Sequence, residues 1–152
     1  MSPSFLKVVK FMIEEKSFLE HAMVFDCFYG TPKKEVEDSL NNGLNVILEI
    51  DWKGAMQIKR ERSDCLMIFI IPPSKEELML RLRKRGTDSN NEIRLRFDDA
   101  LNDINQYKNF DKVFINDDVM STVEAIAAFI KEPSKTSSLN EEVMTIIRSF
   151  RS

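Results

Sequence analysis

NVILEIDWKGAMQIK, residues 45–59, is the stretch whose reading decides the fold. Its first seven residues are aliphatic or β-branched almost without a break, the content of a strand buried on both faces, as in a parallel sheet covered by helices. From Gly54 to Arg60 the chain reads as a helix. Two further runs of the same kind follow, LMIFII at 66–71 and KVFIN at 112–116. Between and after them lie helical segments: Ser74 to Lys84, with Ser74 and Glu77 as a capping box; Ser89 to Asn109; and a helix capped by Ser121 and Glu124 that reaches Ile130. Upstream, residues 5–15 place Phe5, Val8, Val9, Met12 and Ile13 at helical spacing, and Pro32 to Asn42 reads as a short helix closed by Gly43. Strand alternating with helix predicts an α/β fold, a parallel sheet flanked by helices.

The segment FLEHAMVFDCFYGT, residues 18–31, fits neither a helical nor an alternating period. Residues 131–138, KEPSKTSS, read as a polar linker. Beyond it Val143, Ile146, Ile147 and Phe150 form one apolar face of a last helix, expected to pack back on the domain or on a partner.

At 152 residues, 43% of them hydrophobic and 31% charged, the chain is long enough for one packed domain of the soluble kind. A net charge of −3 argues against a general nucleic-acid binder, which needs a positive field. The longest strongly apolar run, Cys65 to Ile71, is too short to span a bilayer, and no charged-apolar-small leader opens the chain. Cys27 and Cys65 each lie among apolar neighbours and read as reduced thiols, which with the missing leader predicts a cytoplasmic protein. His21 is the only histidine, so a histidine metal cluster is excluded and a packed or surface imidazole is expected. The eight methionines read as core filler.

Two patterns carry chemistry. In RLRKRGTDSNNEIRLRF, residues 81–97, six cations (Arg81, Arg83, Lys84, Arg85, Arg94, Arg96) face two acids (Asp88, Glu92), a local excess inside an acidic chain. Gly86 can end one helix and Ser89 with Glu92 can cap the next, giving a helical hairpin that presents arginines from both arms. Guanidinium forks suit phosphate oxygens, so the segment reads either as a polyphosphate site or as a solvated charged face. Glu49 and Asp51, two apart on a strand, project from one face near its C-terminal end, where ligands enter open parallel sheets. A carboxylate there holds magnesium through water, accepts hydrogen bonds from a base, or simply reaches solvent.

Taken together, FLEHAMVFDCFYGT, NVILEIDWKGAMQIK, IFIIPPS with RLRKRGTDS, EIRLRFDDA and KVFINDD resemble the guanylate kinases, which transfer a phosphoryl group from ATP to GMP. The stretches occur in the family's order and at close to its spacing, from about residue 7 to residue 131. The resemblance implies a P-loop-kinase-like sheet and a truncated guanylate kinase-like domain over residues 1–131. In it, about 5–43 belong to the GMP-binding part, about 44–80 and 110–131 to the core, and about 81–97 to a lid; 132–138 are a linker and 139–152 a C-terminal helix.

It also implies roles. Glu20 matches the glutamate that accepts from the guanine N1 and amino group, donors that adenine lacks at those positions; Asp51 matches a second acid on the guanine. Tyr29 matches the tyrosine on the GMP phosphate and Thr31 a hydroxyl near the base. Arg85 and Arg96, with Arg81 as a third, match arginines that close on the ATP phosphates as binding and catalytic groups. Asn116 matches the residue beside the adenine pocket. Glu49 falls where the family has an aspartate near the magnesium, one methylene shorter.

The family's phosphate loop, G-x-x-x-x-G-K-[ST], has no counterpart here: the glycines are Gly30, Gly43, Gly54 and Gly86, none five apart. Met1 begins roughly where that region should already have ended, so the central P-loop strand is expected to be missing. The expectation is weak or no kinase activity for the chain alone. The alternatives are a non-catalytic guanylate-kinase-like module that binds a protein, and a homo-oligomer or subunit completed by another chain.

Overall fold

The protein is seen in a computed structural model that describes residues 3–24, 27–84, 89–133 and 140–151. It divides into two compact units, Met1–Cys65 and Leu66–Ser152, each described by itself.

The first unit opens with helix α1 (Pro3–Glu14), after which Lys16 at φ 52° turns the chain into strand β1 (Phe18–Val24). β1 pairs antiparallel with β2 (Cys27–Pro32), Glu20 opposite Thr31 and Ala22 opposite Tyr29. The register shifts between Phe18 and Glu20, and this bulge is why the segment obeys neither simple period. Leu19 and Glu20 are adjacent, yet both are buried.

β2 runs without a loop into α2 (Lys33–Asn41), and the Lys33 amide returns to the Ser17 carbonyl at 2.8 Å. α2 ends as the sequence predicts. Gly43 takes φ 76°, its amide donates to the Leu40 carbonyl at 2.9 Å, and the Leu44 amide donates to Ser39 at 3.1 Å, which closes the helix with its last carbonyls satisfied. Leu19, Val36 and Ile58 form this unit's core, with Leu40, Val46, Leu48, Ile50 and Cys65 packed against it.

Residues 45–51 depart from expectation. They belong to no strand ladder among the described residues, and only one face is covered. Val46, Leu48 and Ile50 pack on the core while Ile47 is 82% exposed and Glu49 and Asp51 face solvent. The period of two is present without the pairing, so the continuous apolar run reports content suited to two covered faces rather than burial achieved. Helix α3 (Trp52–Glu61) follows directly.

In the second unit β3 (Ile68–Ile71) and β4 (Lys112–Ile115) pair in parallel, as the sequence alternation implies. The pairing extends past both ends: the Met67 amide donates to the Asp111 carboxylate at 2.8 Å, and the Asn116 amide to the Ile71 carbonyl at 2.8 Å. The crossover is made by α4 (Lys75–Lys84), α5 (Asn90–Ile104) and a 3₁₀ turn (Asn105–Asn109).

After β4 come α6 (Val119–Lys131) and α7 (Glu141–Ser149). α7 does pack back: Val143, Ile147 and Phe150 join Ile71, Ile104, Tyr107 and Val113 in one buried cluster, with Ile146 at its edge.

Two capping expectations change. Asp118, rather than Ser121, caps α6, its carboxylate accepting the Ser121 amide at 2.9 Å. At α4 the Ser74 hydroxyl accepts the Glu77 amide at 3.2 Å, but the Glu77 carboxylate turns to Arg81, so only half of the box forms. The Ser89–Glu92 box is complete. Methionine is not uniformly core: Met67 is buried, whereas Met23 and Met120 are exposed. Among the described residues no helix is long and apolar enough to cross a membrane.

Candidate functional site

Among the described residues a polar arrangement centres on Glu20. Its side chain is buried, 6% exposed, which a carboxylate tolerates only with compensating partners. One oxygen accepts the Thr31 hydroxyl at 2.7 Å, across the hairpin from its ladder partner. The other lies over Gly54 in the first turn of α3, so close that a β-carbon on that residue would stand 3.0 Å from it. A helix N-terminus carries partial positive charge, so the seat suits an anion.

Asp51 caps the same helix, its Oδ1 accepting the Gly54 amide at 2.8 Å. Glu20 and Asp51, remote in sequence, therefore meet one residue, Gly54. The fold also brings in Tyr29: it sits opposite Ala22, two residues along from the Glu20–Thr31 pair, and so shares the face of Glu20 and Thr31. Its ring is 61% exposed.

Gln57, one helical turn after Gly54, holds β1 from outside. Its Nε2 donates to the His21 carbonyl at 3.1 Å and its Oε1 accepts the His21 amide at 3.2 Å. His21 itself is half-buried with its ring 6.2 Å from that of Phe18, a packed imidazole as expected. The sequence reading missed the roles of Gly54 and Gln57; the available signal was a glycine opening the predicted helix, where it weakens the helix unless space demands it.

Glu49 is exposed on the segment before α3, on the same side of the alternation as Asp51. Cys65 packs against this unit's core; the Cys27 side chain lies outside the described residues.

The second unit holds the other predicted site residues. Arg81, in the last turn of α4, pairs with Glu77 at 2.6 Å. Arg96 lies half-buried on α5 one turn after Glu92. The Glu92 carboxyl is held below the usual range chiefly by the Ser89 hydroxyl, then by the Ser89 amide, with a smaller contribution from Arg96. α4 and α5 pack on each other; Arg85 and Gly86, which the sequence reading put between them, lie outside the described residues. Asn116 follows β4 at the C-terminal end of the parallel pair, where ligands approach such sheets. Its side-chain oxygen is buried with no hydrogen-bond partner among the described residues, an unmet acceptor.

Fold and site define an α/β protein with a recessed carboxylate on an antiparallel hairpin, held at the start of a helix, and a parallel pair crossed over by an arginine-bearing helical segment. The family model described as "Guanylate kinase" matches residues 6–133. The guanylate kinase of Caldanaerobacter subterraneus subsp. tengcongensis is 49% identical over 121 residues, covering 80% of this chain and 59% of that protein. The guanylate kinase of Photorhabdus laumondii is 44% identical over 120 residues, covering 79% and 58%. The crystal structure of guanylate kinase from Anaplasma phagocytophilum superposes with a TM-score of 0.67 at 28% identity, covering 95% of this chain and 68% of that one. The chain belongs to the guanylate kinase family. It spans about three-fifths of the length of the curated relatives it matches.

Proposed function

We propose that this chain is the nucleotide-recognising part of a guanylate kinase, an enzyme that phosphorylates GMP to GDP with ATP in purine nucleotide metabolism in the cytoplasm. The observation that carries the reading is the buried Glu20 carboxylate, fixed by Thr31 and by the start of α3. A fixed acid of this kind suits the adjacent N–H donors of guanine; a base without them would leave it unpaired, which costs selectivity of several orders of magnitude in sites built this way. Asp51 supplies a second acid to the base, Thr31 a hydroxyl, and the exposed Tyr29 hydroxyl meets the phosphate of the bound nucleotide.

On the ATP side Arg81, Arg85 and Arg96 neutralise the transferring phosphoryl group, and Asn116 offers its unmet acceptor to the adenine amino group. The chemistry asks chiefly for alignment, electrostatic stabilisation and exclusion of water. Among the described residues no three His, Cys, Asp or Glu side chains converge on a metal position, and Asp51 is engaged with Gly54. Glu49 alone fits a magnesium ion that arrives on ATP and keeps most of its waters. Bound so, the ion would neutralise phosphate charge.

Residues 1–152 contain no phosphate-cradling glycine loop, so this stretch by itself is expected to turn over little or no GMP. A second reading, from residues 45–50, accompanies this one. An extended, half-covered segment outside any ladder among the described residues is a template for strand addition, so a complementing chain, or a second copy, would complete it.

Calorimetric titration of GMP and, as control, AMP into the chain and into its Glu20→Ala variant tests the function. GMP-selective binding lost in the variant is the expected result. Equal binding of GMP and AMP, or binding indifferent to Glu20→Ala, would overturn the assignment.

A further inference from the structure

We infer that Gly54 is a positioning residue that seats both recognition acids, with Gln57 fixing the strand beside them. The inference rests on the reading of Glu20 and Asp51 as base-binding acids. Gly54 occupies the third position of α3, and its backbone is not in the left-handed region, so nothing in the chain's path demands glycine there. On propensity alone alanine would serve the helix better. What demands glycine is space: an added β-carbon would meet the Glu20 carboxylate at 3.0 Å, its Cδ at 3.4 Å and its Cγ at 3.5 Å. The same residue's amide holds Asp51 at 2.8 Å.

The spacing of the two acids is thus set through a single backbone position. Gln57 lies one turn further along α3, on the same face. By taking both the amide and the carbonyl of His21, its side chain holds β1 in register immediately after Glu20. With the strand so held, a β-carbon at position 54 displaces the flexible end of Glu20 rather than the backbone. The carboxylate gives by a few tenths of an ångström, which strains its hydrogen bond from Thr31 while the fold stays.

The experiment is the Gly54→Ala variant, read three ways. In the chain without nucleotide, NMR of the Glu20 carboxyl carbon and of the Thr31 hydroxyl should show a moved carboxyl and a weakened hydrogen bond. The thermal midpoint should change little, the weakened Thr31–Glu20 bond being offset by the better helix propensity of alanine. In titrations, GMP affinity should fall several-fold, in keeping with a displacement of a few tenths of an ångström at a fixed acid, while weak AMP binding stays as it was. Gln57→Leu should free the His21 amide to exchange and weaken GMP binding with Gly54 intact.

An unmoved Glu20 carboxyl in Gly54→Ala overturns the inference. So does a lowered midpoint with the carboxyl in place, which would make Gly54 merely structural. If the parent chain binds no GMP, the guanine reading falls, and the carboxyl and hydroxyl signals still decide whether Gly54 seats Glu20.

Discussion

The Thr31–Glu20 hydrogen bond should be worth about 1.5–3 kcal/mol, the range for hydroxyl-to-carboxylate bonds shielded from water. The geometry supports the full range: the distance is 2.7 Å, the acceptor side chain is almost wholly buried, and the two residues are ladder partners, so little side-chain freedom remains to be lost. Thr31→Val keeps the β-branched shape and removes only the hydroxyl, which strands one buried carboxylate oxygen. Combined with Glu20→Ala in a double-mutant cycle, it should give a coupling energy of about 1.5–3 kcal/mol. Trp52 is the only tryptophan and the first residue of α3, directly after Asp51, so its fluorescence reports the unfolding of this unit. With a urea slope of about 1.5 kcal/mol/M, Thr31→Val alone should lower the midpoint by about 1–2 M. A coupling energy below about 0.5 kcal/mol, the level at which independent sites add, would refute the claim that Thr31 holds Glu20.

Three further outcomes are expected. Ile147→Ala, at a fully buried position, removes three carbons at about 0.8 kcal/mol each and leaves a cavity, so denaturant unfolding of the second unit should register a loss of about 3–4 kcal/mol. In the extended segment, Ile47→Thr should change stability by less than about 0.5 kcal/mol, whereas Leu48→Ala should cost about 2 kcal/mol or more; equal costs in urea melts would show that both faces are covered. Glu92 contributes fully above the ordinary glutamate range, because its carboxyl is depressed chiefly by Ser89, and the contribution fades as pH falls through its folded value. Protection of the amides at the start of α5, taken relative to their intrinsic exchange rates at each pH, should therefore fall on acidification, and Ser89→Ala should largely remove that dependence.

Much of the fold was legible because it follows from local pattern. The parallel pair was written in two short apolar runs, the helices in their spacing, and the end of α2 in Gly43. Residues 45–51 misled because composition records what a segment suits, and ladder formation needs a neighbour that composition does not supply. Asp118 was missed as a cap because Ser121 and Glu124 matched the capping pattern three residues further on, and an aspartate caps equally well. In the site, Asp51 was singled out by its spacing from Glu49 and Glu20 and Thr31 by resemblance; hairpin register pairs Glu20 with Thr31, and the helix start brings Glu20 and Asp51 to Gly54. The roles of Gly54 and Gln57 were not legible because each acts through contacts between β1 and α3, more than thirty residues apart in sequence, and the bulge because it arises only when β1 pairs with β2.

The loopless passage from β2 into α2 makes the two elements a single lever. Pro32 is at once the last residue of the strand and the cap of the helix, fixed at φ −62°, and Lys33 is tied back to Ser17. No slack separates Thr31 from α2. A tilt of that helix is therefore transmitted to the hydroxyl that grips Glu20, and a force applied to a surface helix reaches the acid without any hinge between them.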